Sequence, residues 1–167
     1  MFLDESRCNT DMTRRYAYSL GGSRAVDSAP LSKPKNTTIL SSIQLDGTLR
    51  YTTFSGGTTV ERFKRYLETD LLPHLNGNSV LIMDNMKSHH AKAVRNLLDS
   101  SEIRYIYLPP YSPDLNPIEK LWSKVKAFLR KFKARMLDAL PNAIQNAFHS
   151  VTVSDCSGWF RFCGYAL

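Results

Sequence analysis

Three carboxylates stand where a carboxylate can do chemistry. Asp84 closes the apolar run Val80-Leu81-Ile82-Met83, Asp4 follows Phe2-Leu3 in the same manner, and Glu119 opens a long amphipathic stretch. In an open sheet with parallel strands, ligands gather at the carboxyl ends of the strands. Carboxylate oxygens are also the donors that hard divalent cations prefer. Plainer readings compete. An aspartate can simply begin the turn after a strand, and Glu5 and Asp11 rival Asp4 for its place. In Asn116-Pro117-Ile118-Glu119 the glutamate holds the third helical position, where it can reach back to the capping residue's N–H without any catalysis.

The approach to Glu119 is unusually stiff. YLPPYSPDLNPIEKLW, from Tyr107 to Trp122, carries Pro109, Pro110, Pro113 and Pro117. Each proline locks its own φ and restricts the residue before it, so the block sets the angle at which the following helix enters. Asn116 is placed to cap that helix and Pro117 to fill its first turn. Ile118, Leu121, Trp122, Val125, Phe128, Leu129 and Phe132 form its apolar stripe. At about 100° per residue, Glu119 lies at the edge of the stripe, with Ser123, Lys126, Arg130 and Lys133 within about 40° of it. Seven basic residues and no acidic one lie between Lys120 and Arg135. An acid followed by three turns of cations suits a metal-binding carboxylate with a track for a phosphate backbone beyond it. The competing reading is a solvated helix face.

The elements that must position these groups read as strands first, then as alternating helices and strands. Phe2-Leu3 begin a strand and Tyr16 to Leu20 make a second, closed by Gly21-Gly22; a loop follows with Pro30 and Pro34. TTILSSIQ and LRYTTF flank Asp46-Gly47, a hairpin signal. Val60, Phe63, Leu67 and Leu71 mark a helix, NSVLIMDN a strand buried on both faces, Ala91, Val94, Leu97 and Leu98 a second helix, and IRYIYL a further strand. A last helix runs through Leu137, Leu140, Ile144 and Phe148, and the tail VTVSDCSGWFRFCGYAL has no clean period. This order predicts an α/β fold with a mixed sheet, antiparallel first and then parallel, flanked by helices.

Composition narrows the class. The 167 residues are 43% hydrophobic with no apolar run near 18 residues, which excludes a membrane-spanning helix and fits one domain. MFLDESRCNT lacks the pattern of a secretory signal. Cys8, Cys156 and Cys163 form no CxxC pair and fit free thiols in a reducing compartment. A net charge of +7 favours a polyanionic partner.

LDES, LIMDNMKSHH and LPPYSPDLNPIEKLWSKVK resemble the three signature blocks of the DDE transposases of the mariner superfamily, most closely its bacterial insertion-sequence branch. The blocks keep the family's order, 34 residues separate Asp84 from Glu119 (119 − 84 − 1), and the ending WFRFCGY is similar to bacterial members. The resemblance implies one ribonuclease H-like catalytic domain over 1–167, with a five-stranded mixed sheet and with 136–167 as a helical or irregular extension. Asp4, Asp84 and Glu119 would be the acidic triad, holding two Mg²⁺ ions that Mn²⁺ can replace. Asn85 and His89 would support the site or contact DNA. The resemblance also implies cleavage of DNA at transposon ends, transfer of the 3′-hydroxyl into target DNA at TA, and work as a homodimer or higher assembly on DNA. It places the protein in the bacterial cytoplasm with the nucleoid. The family's N-terminal helix-turn-helix is absent from this chain, which leaves three alternatives open: a truncated chain, a decayed copy, or the second frame of an element whose upstream frame encodes that region and is joined to it by frameshifting. Rival readings are a non-catalytic DNA-binding remnant and a stand-alone ribonuclease H-like nuclease. The adjacent His89-His90 pair does not make a zinc site, since neighbouring residues project differently and no cysteine is spaced to join them.

Overall fold

The computed structural model describes residues 1–14, 16–28 and 34–165. Five strands form one mixed sheet: β1 (Phe2–Asn9), β2 (Asn36–Ile43), β3 (Leu49–Ser55), β4 (Val80–Met83) and β5 (Arg104–Tyr107), in the order β3-β2-β1-β4-β5. The β1–β2 and β2–β3 pairs are antiparallel; β1–β4 and β4–β5 are parallel. The predicted hairpin joins β2 to β3, with Gly47 at φ +88°. A Cβ at Gly47 would also stand 2.9 Å from the Val153 side chain, so both conformation and space call for glycine there.

Helices cover both faces. Helix α1 (Val60–Tyr66), continued by a π turn over Leu67–Leu71, and α2 (Lys92–Ser100) pack on the face that carries Leu3, Leu40, Leu81 and Met83. Helices α3 (Ile118–Phe132), α4 (Leu140–His149) and α5 (Val153–Phe162) pack on the face that carries Phe2, Ile39, Ile43 and Cys8. Because side chains alternate along a strand, successive β1 residues belong to opposite cores. The buried α3 residues Ile118, Leu121, Trp122, Val125 and Leu129 are those of the sequence stripe, while Phe132 at its end is half exposed.

Several expectations are corrected. The first strand extends well past Phe2-Leu3: it runs eight residues and is bonded to β2 along its whole length and to β4 at its start. Polar Glu5, Ser6 and Arg7 hid its extent. Tyr16 to Leu20 form no strand among the described residues, and Tyr16, Tyr18 and Leu20 project into solvent. Pro30 of the adjoining loop lies outside the described residues, and Pro34 is irregular.

Strand β4 is fully buried only on one face: Leu81 and Met83 are covered, while Val80 and Ile82 are partly exposed. The aperiodic tail contains α5, announced by Thr152-x-x-Asp155. Thr152 Oγ1 accepts from Asp155 N–H at 3.1 Å and Asp155 Oδ2 accepts from Thr152 N–H at 2.8 Å, a reciprocal cap. Cys8, Cys156 and Cys163 are buried free thiols.

Candidate active site

A cavity of about 410 Å³ opens at the carboxyl ends of the parallel strands, lined by Asp4, Asp84, Asn85, Asn116 and Glu119. Its wall is the proline block itself, from Leu108 to Pro113. Thus the stiff segment encloses the site as well as aiming α3. Tyr111 holds a left-handed φ of +58° between its prolines, and Tyr165 Oη donates to Leu115 O at 2.8 Å to brace the block from the chain's other end. Among the described residues, no three His, Cys, Asp or Glu side chains stand close enough together to hold an ion by themselves.

Asp4 lies inside β1, third along it, and only 6% of it is exposed. Trp122 Nε1–H donates to its Oδ2 at 3.0 Å and Glu5 N–H to its Oδ1 at 2.7 Å. Burial raises the Asp4 carboxyl to about 7; those two donors oppose the rise, and the negative Asp84 and Glu119 add to it. Trp122 was legible in the sequence only as a stripe residue, although it sits three positions after Glu119, one turn along the helix.

Asp84 follows the last residue of β4. Its Oδ1 accepts from Met86 N–H at 3.1 Å and lies 2.8 Å from His89 Nδ1, which is also within 3.3 Å of the Asp84 carbonyl oxygen. Burial would raise its carboxyl, but the donors and the histidine charges prevail and hold it below the usual range. His89 is wholly buried and stacks on Phe63 with centroids 4.2 Å apart. Its Nε2 lies 3.2 Å from Glu5 Oε2. Desolvation lowers its pKa, yet the two flanking carboxylates outweigh that and raise it to about 9. His89 has no exposed surface with which to meet DNA. Asn85 lines the cavity, and its Oδ1 is bonded to His90 Nε2, whose ring packs on Tyr107. Glu5, the rival of Asp4, points to the opposite face of β1. Asp11 is not among the cavity-lining residues.

Glu119 is exposed at the head of α3, whose first turn has Pro117 at the cap and no side-chain cap bond. The capping box that could have explained the glutamate is therefore not formed. Asn116 is not the side-chain cap either: its carbonyl accepts from Glu119 N–H at 3.1 Å, while its buried Oδ1 has no hydrogen-bond partner among the described residues.

The basic flank is shorter than the helical spacing suggested. Lys126 and Arg130 stay partly exposed on α3. Lys133 follows the last helical residue in a left-handed conformation, φ +53°, and its Nζ pairs with Asp27 at 2.5 Å. Lys124 likewise pairs with Asp155 at 2.5 Å, and Lys120 lies 3.8 Å over the Phe162 ring. The missing acids of the 120–135 stretch come from distant parts of the chain.

A mixed five-stranded sheet with helices on both faces, two aspartates on adjacent parallel strands and a glutamate on the following helix define a class. The family model described as DDE superfamily endonuclease matches residues 1–140, and the chain belongs to that family. It is 29% identical to the transposable element Tc1 transposase of Caenorhabditis elegans over 97 residues, covering 56% of this chain and 36% of that protein. A solved Mos1 transposase paired-end complex with left transposon end matches at TM-score 0.80 and 19% identity, over 96% of this chain and 50% of that one. A mariner Mos1 paired-end complex with Mg matches at TM-score 0.68 and 19% identity, over 98% and 50%. At that identity the likeness speaks for the fold, which is ribonuclease H-like. The chain spans about half the length of these Mos1 chains and 36% of the Tc1 transposase.

Proposed function

We propose that this chain is the catalytic domain of a transposase that cuts DNA at transposon ends and transfers the 3′-hydroxyl into target DNA, at a TA step. The observation that carries this reading is the convergence of Asp4, Asp84 and Glu119, from three separate elements, on one cavity walled by the proline block. The wording of the three signature blocks sets it nearest the bacterial insertion-sequence branch.

The donor set fits divalent ions of the Mg²⁺ kind. Three carboxylates and the unpartnered Asn116 Oδ1 are all hard oxygen donors. A cation beside Asp4 offsets the crowding of negative charge that raises its carboxyl. An open cavity, rather than a closed cage, also suits Mg²⁺, which keeps waters and completes its shell with substrate phosphate. Asp4, Asp84 and Glu119 would hold the ions, and Mn²⁺ would substitute; the Mos1 neighbours include complexes with Mg and with Mn. When bound, two such ions activate the attacking oxygen and stabilise the leaving one.

The chain's own residues prepare that chemistry. Trp122 and the Glu5 N–H orient the Asp4 carboxyl, and His89 with the Met86 N–H keeps Asp84 ionised. The rigid turn through Pro113–Leu115 delivers Glu119 without using it as a cap. Supercoiled-plasmid nicking in Mg²⁺ or Mn²⁺ tests the reading. Metal-dependent nicks support it, and a folded chain that never nicks in either metal overturns it.

DNA would be held along α3 beyond Glu119. Lys126 and Arg130 are four residues apart, so they share a flank and can follow one phosphate track. Two phosphate contacts at about −0.9 each give a slope of log affinity against log salt of roughly −2, against roughly −3 had Lys133 contributed. Lys126→Ala with Arg130→Ala flattens that slope and weakens all duplexes alike in fluorescence anisotropy. Equal slopes for parent and double variant would mean that the flank is merely solvated.

A further inference from the structure

Strand β1 supplies two acids of opposite fate. Asp4 faces α3 and the cavity, whereas Glu5 faces the core built by α1 and α2, with its side chain only 10% exposed. A carboxylate is costly to bury unless it is paired and hydrogen-bonded. Among the described residues Glu5 is paired with one group, His89 Nε2 at 3.2 Å, and its other oxygen, Oε1, is buried with no partner. The other ring nitrogen of His89 reaches Asp84 Oδ1 at 2.8 Å.

The ring is thus held from both sides, with a carboxylate oxygen within 3.2 Å of each of its nitrogens. Phe63 stacked on the imidazole and the Tyr107 Oη–H donating to the His89 carbonyl at 2.9 Å fix the plane and position of the ring.

The consequence falls on Asp84. Its Oδ1 accepts from the Met86 N–H and lies 2.8 Å from His89 Nδ1, whereas no donor reaches Oδ2 among the described residues. Rotation of the carboxyl is therefore opposed by both contacts. Asp84 sits just past the end of a four-residue strand, where the backbone alone would hold it loosely. Glu5 reaches this carboxyl from the next strand, through the histidine.

We propose that Glu5 and His89 are positioning residues: a buried carboxylate–imidazole–carboxylate relay, anchored on β1, that turns one oxygen of Asp84 toward the cavity and holds it there. One strand then governs both aspartates, Asp4 directly and Asp84 through His89. Removal of such outer partners typically costs about 10- to 100-fold in metal affinity.

The inference rests on the proposed metal-binding role of Asp84, and the experiment separates the two. Mn²⁺ binding to the metal-free protein is followed by electron paramagnetic resonance and calorimetry, with no DNA present. Glu5→Gln keeps the shape and an acceptor for Nε2 but removes the charge; His89→Phe keeps the stack on Phe63 and removes both donors. Asp84→Asn is the control.

Glu5→Gln is expected to bind Mn²⁺ about 10-fold more weakly and His89→Phe about 100-fold more weakly, with native far-ultraviolet dichroism. His89→Gln, which can still donate to Asp84, should recover part of the loss caused by His89→Phe. If Asp84→Asn loses Mn²⁺ while Glu5→Gln and His89→Gln bind like the parent, the relay is wrong and the site reading stands. If Asp84→Asn itself binds like the parent, the site reading fails and the relay with it. Should His89→Phe not fold, Glu5→Gln against His89→Gln still decides.

Discussion

Asp84→Asn is expected to bring metal-dependent nicking to background, about 10³-fold or more below the parent, while the protein still folds. The loss corresponds to roughly 4 kcal/mol of transition-state stabilisation at about 1.4 kcal/mol per factor of ten. An asparagine Oδ1 can still accept from His89 and the Met86 N–H, so the local bonds survive and only the anionic ligand is lost. Glu119→Gln makes a cleaner companion. The Glu119 side chain is exposed and forms no cap, so glutamine there should leave the melting temperature unchanged and still abolish cutting. Nicking within tenfold of the parent by either variant, measured over a range of Mg²⁺ and Mn²⁺, would remove that residue from the catalytic set. A large drop in melting for Glu119→Gln would show that the glutamate serves the helix after all.

Asp4→Asn should abolish nicking too, yet it should make the metal-free protein less sensitive to alkali. Asp4 has its carboxyl raised from 3.8 to about 7, first by burial and then by the neighbouring negative charges. A group whose folded pKa lies above its unfolded value stabilises the fold fully below the unfolded value. That contribution fades as pH rises through the folded value. The parent in EDTA therefore loses stability between about pH 4 and pH 7, by an amount on the order of 4 kcal/mol at 1.36 kcal/mol per pH unit. Asparagine does not titrate and still offers one acceptor to Trp122 or to the Glu5 N–H, so this part of the pH dependence disappears. Urea melts in EDTA at pH 5 and pH 8 measure it. Parent and variant with the same difference between those pH values would show that Asp4 is not the group responsible.

A side chain that helps the enzyme and harms the metal-free fold is a sign of function, since burial of an ionisable group among like charges stabilises nothing by itself. The same reasoning orders the site's polar groups. Asp4 carries its cost openly, Asp84 has it offset by His89, and Asn116 holds a buried acceptor that nothing among the described residues satisfies.

The sequence by itself determined the elements whose signals are local. Periodicity over Ile118–Phe132 placed a helix with Glu119 at the edge of its buried face, and Asp46-Gly47 placed the hairpin. The strand and helix order set the antiparallel-then-parallel sheet, and block spacing pointed to the family. A helical period or a turn dipeptide is written within a few residues, so no neighbour is needed to read it. What tertiary structure alone decided depends on partners far along the chain. Which of Asp4 and Glu5 faces the cavity follows from β1 sitting between β2 and β4, with Trp122, 118 residues away, closing on Asp4. Tyr16 to Leu20 look like a strand locally but pair with no strand among the described residues. Lys133 leaves the basic flank because the helix ends one residue before it and Asp27, 106 residues upstream, takes its ammonium. The cap reading of Asn116 and Glu119 failed for the same reason: the spacing permits the box, but the cavity claims both side chains. Local sequence states what a residue can do, and the packing of distant segments against one another selects which of those possibilities is used.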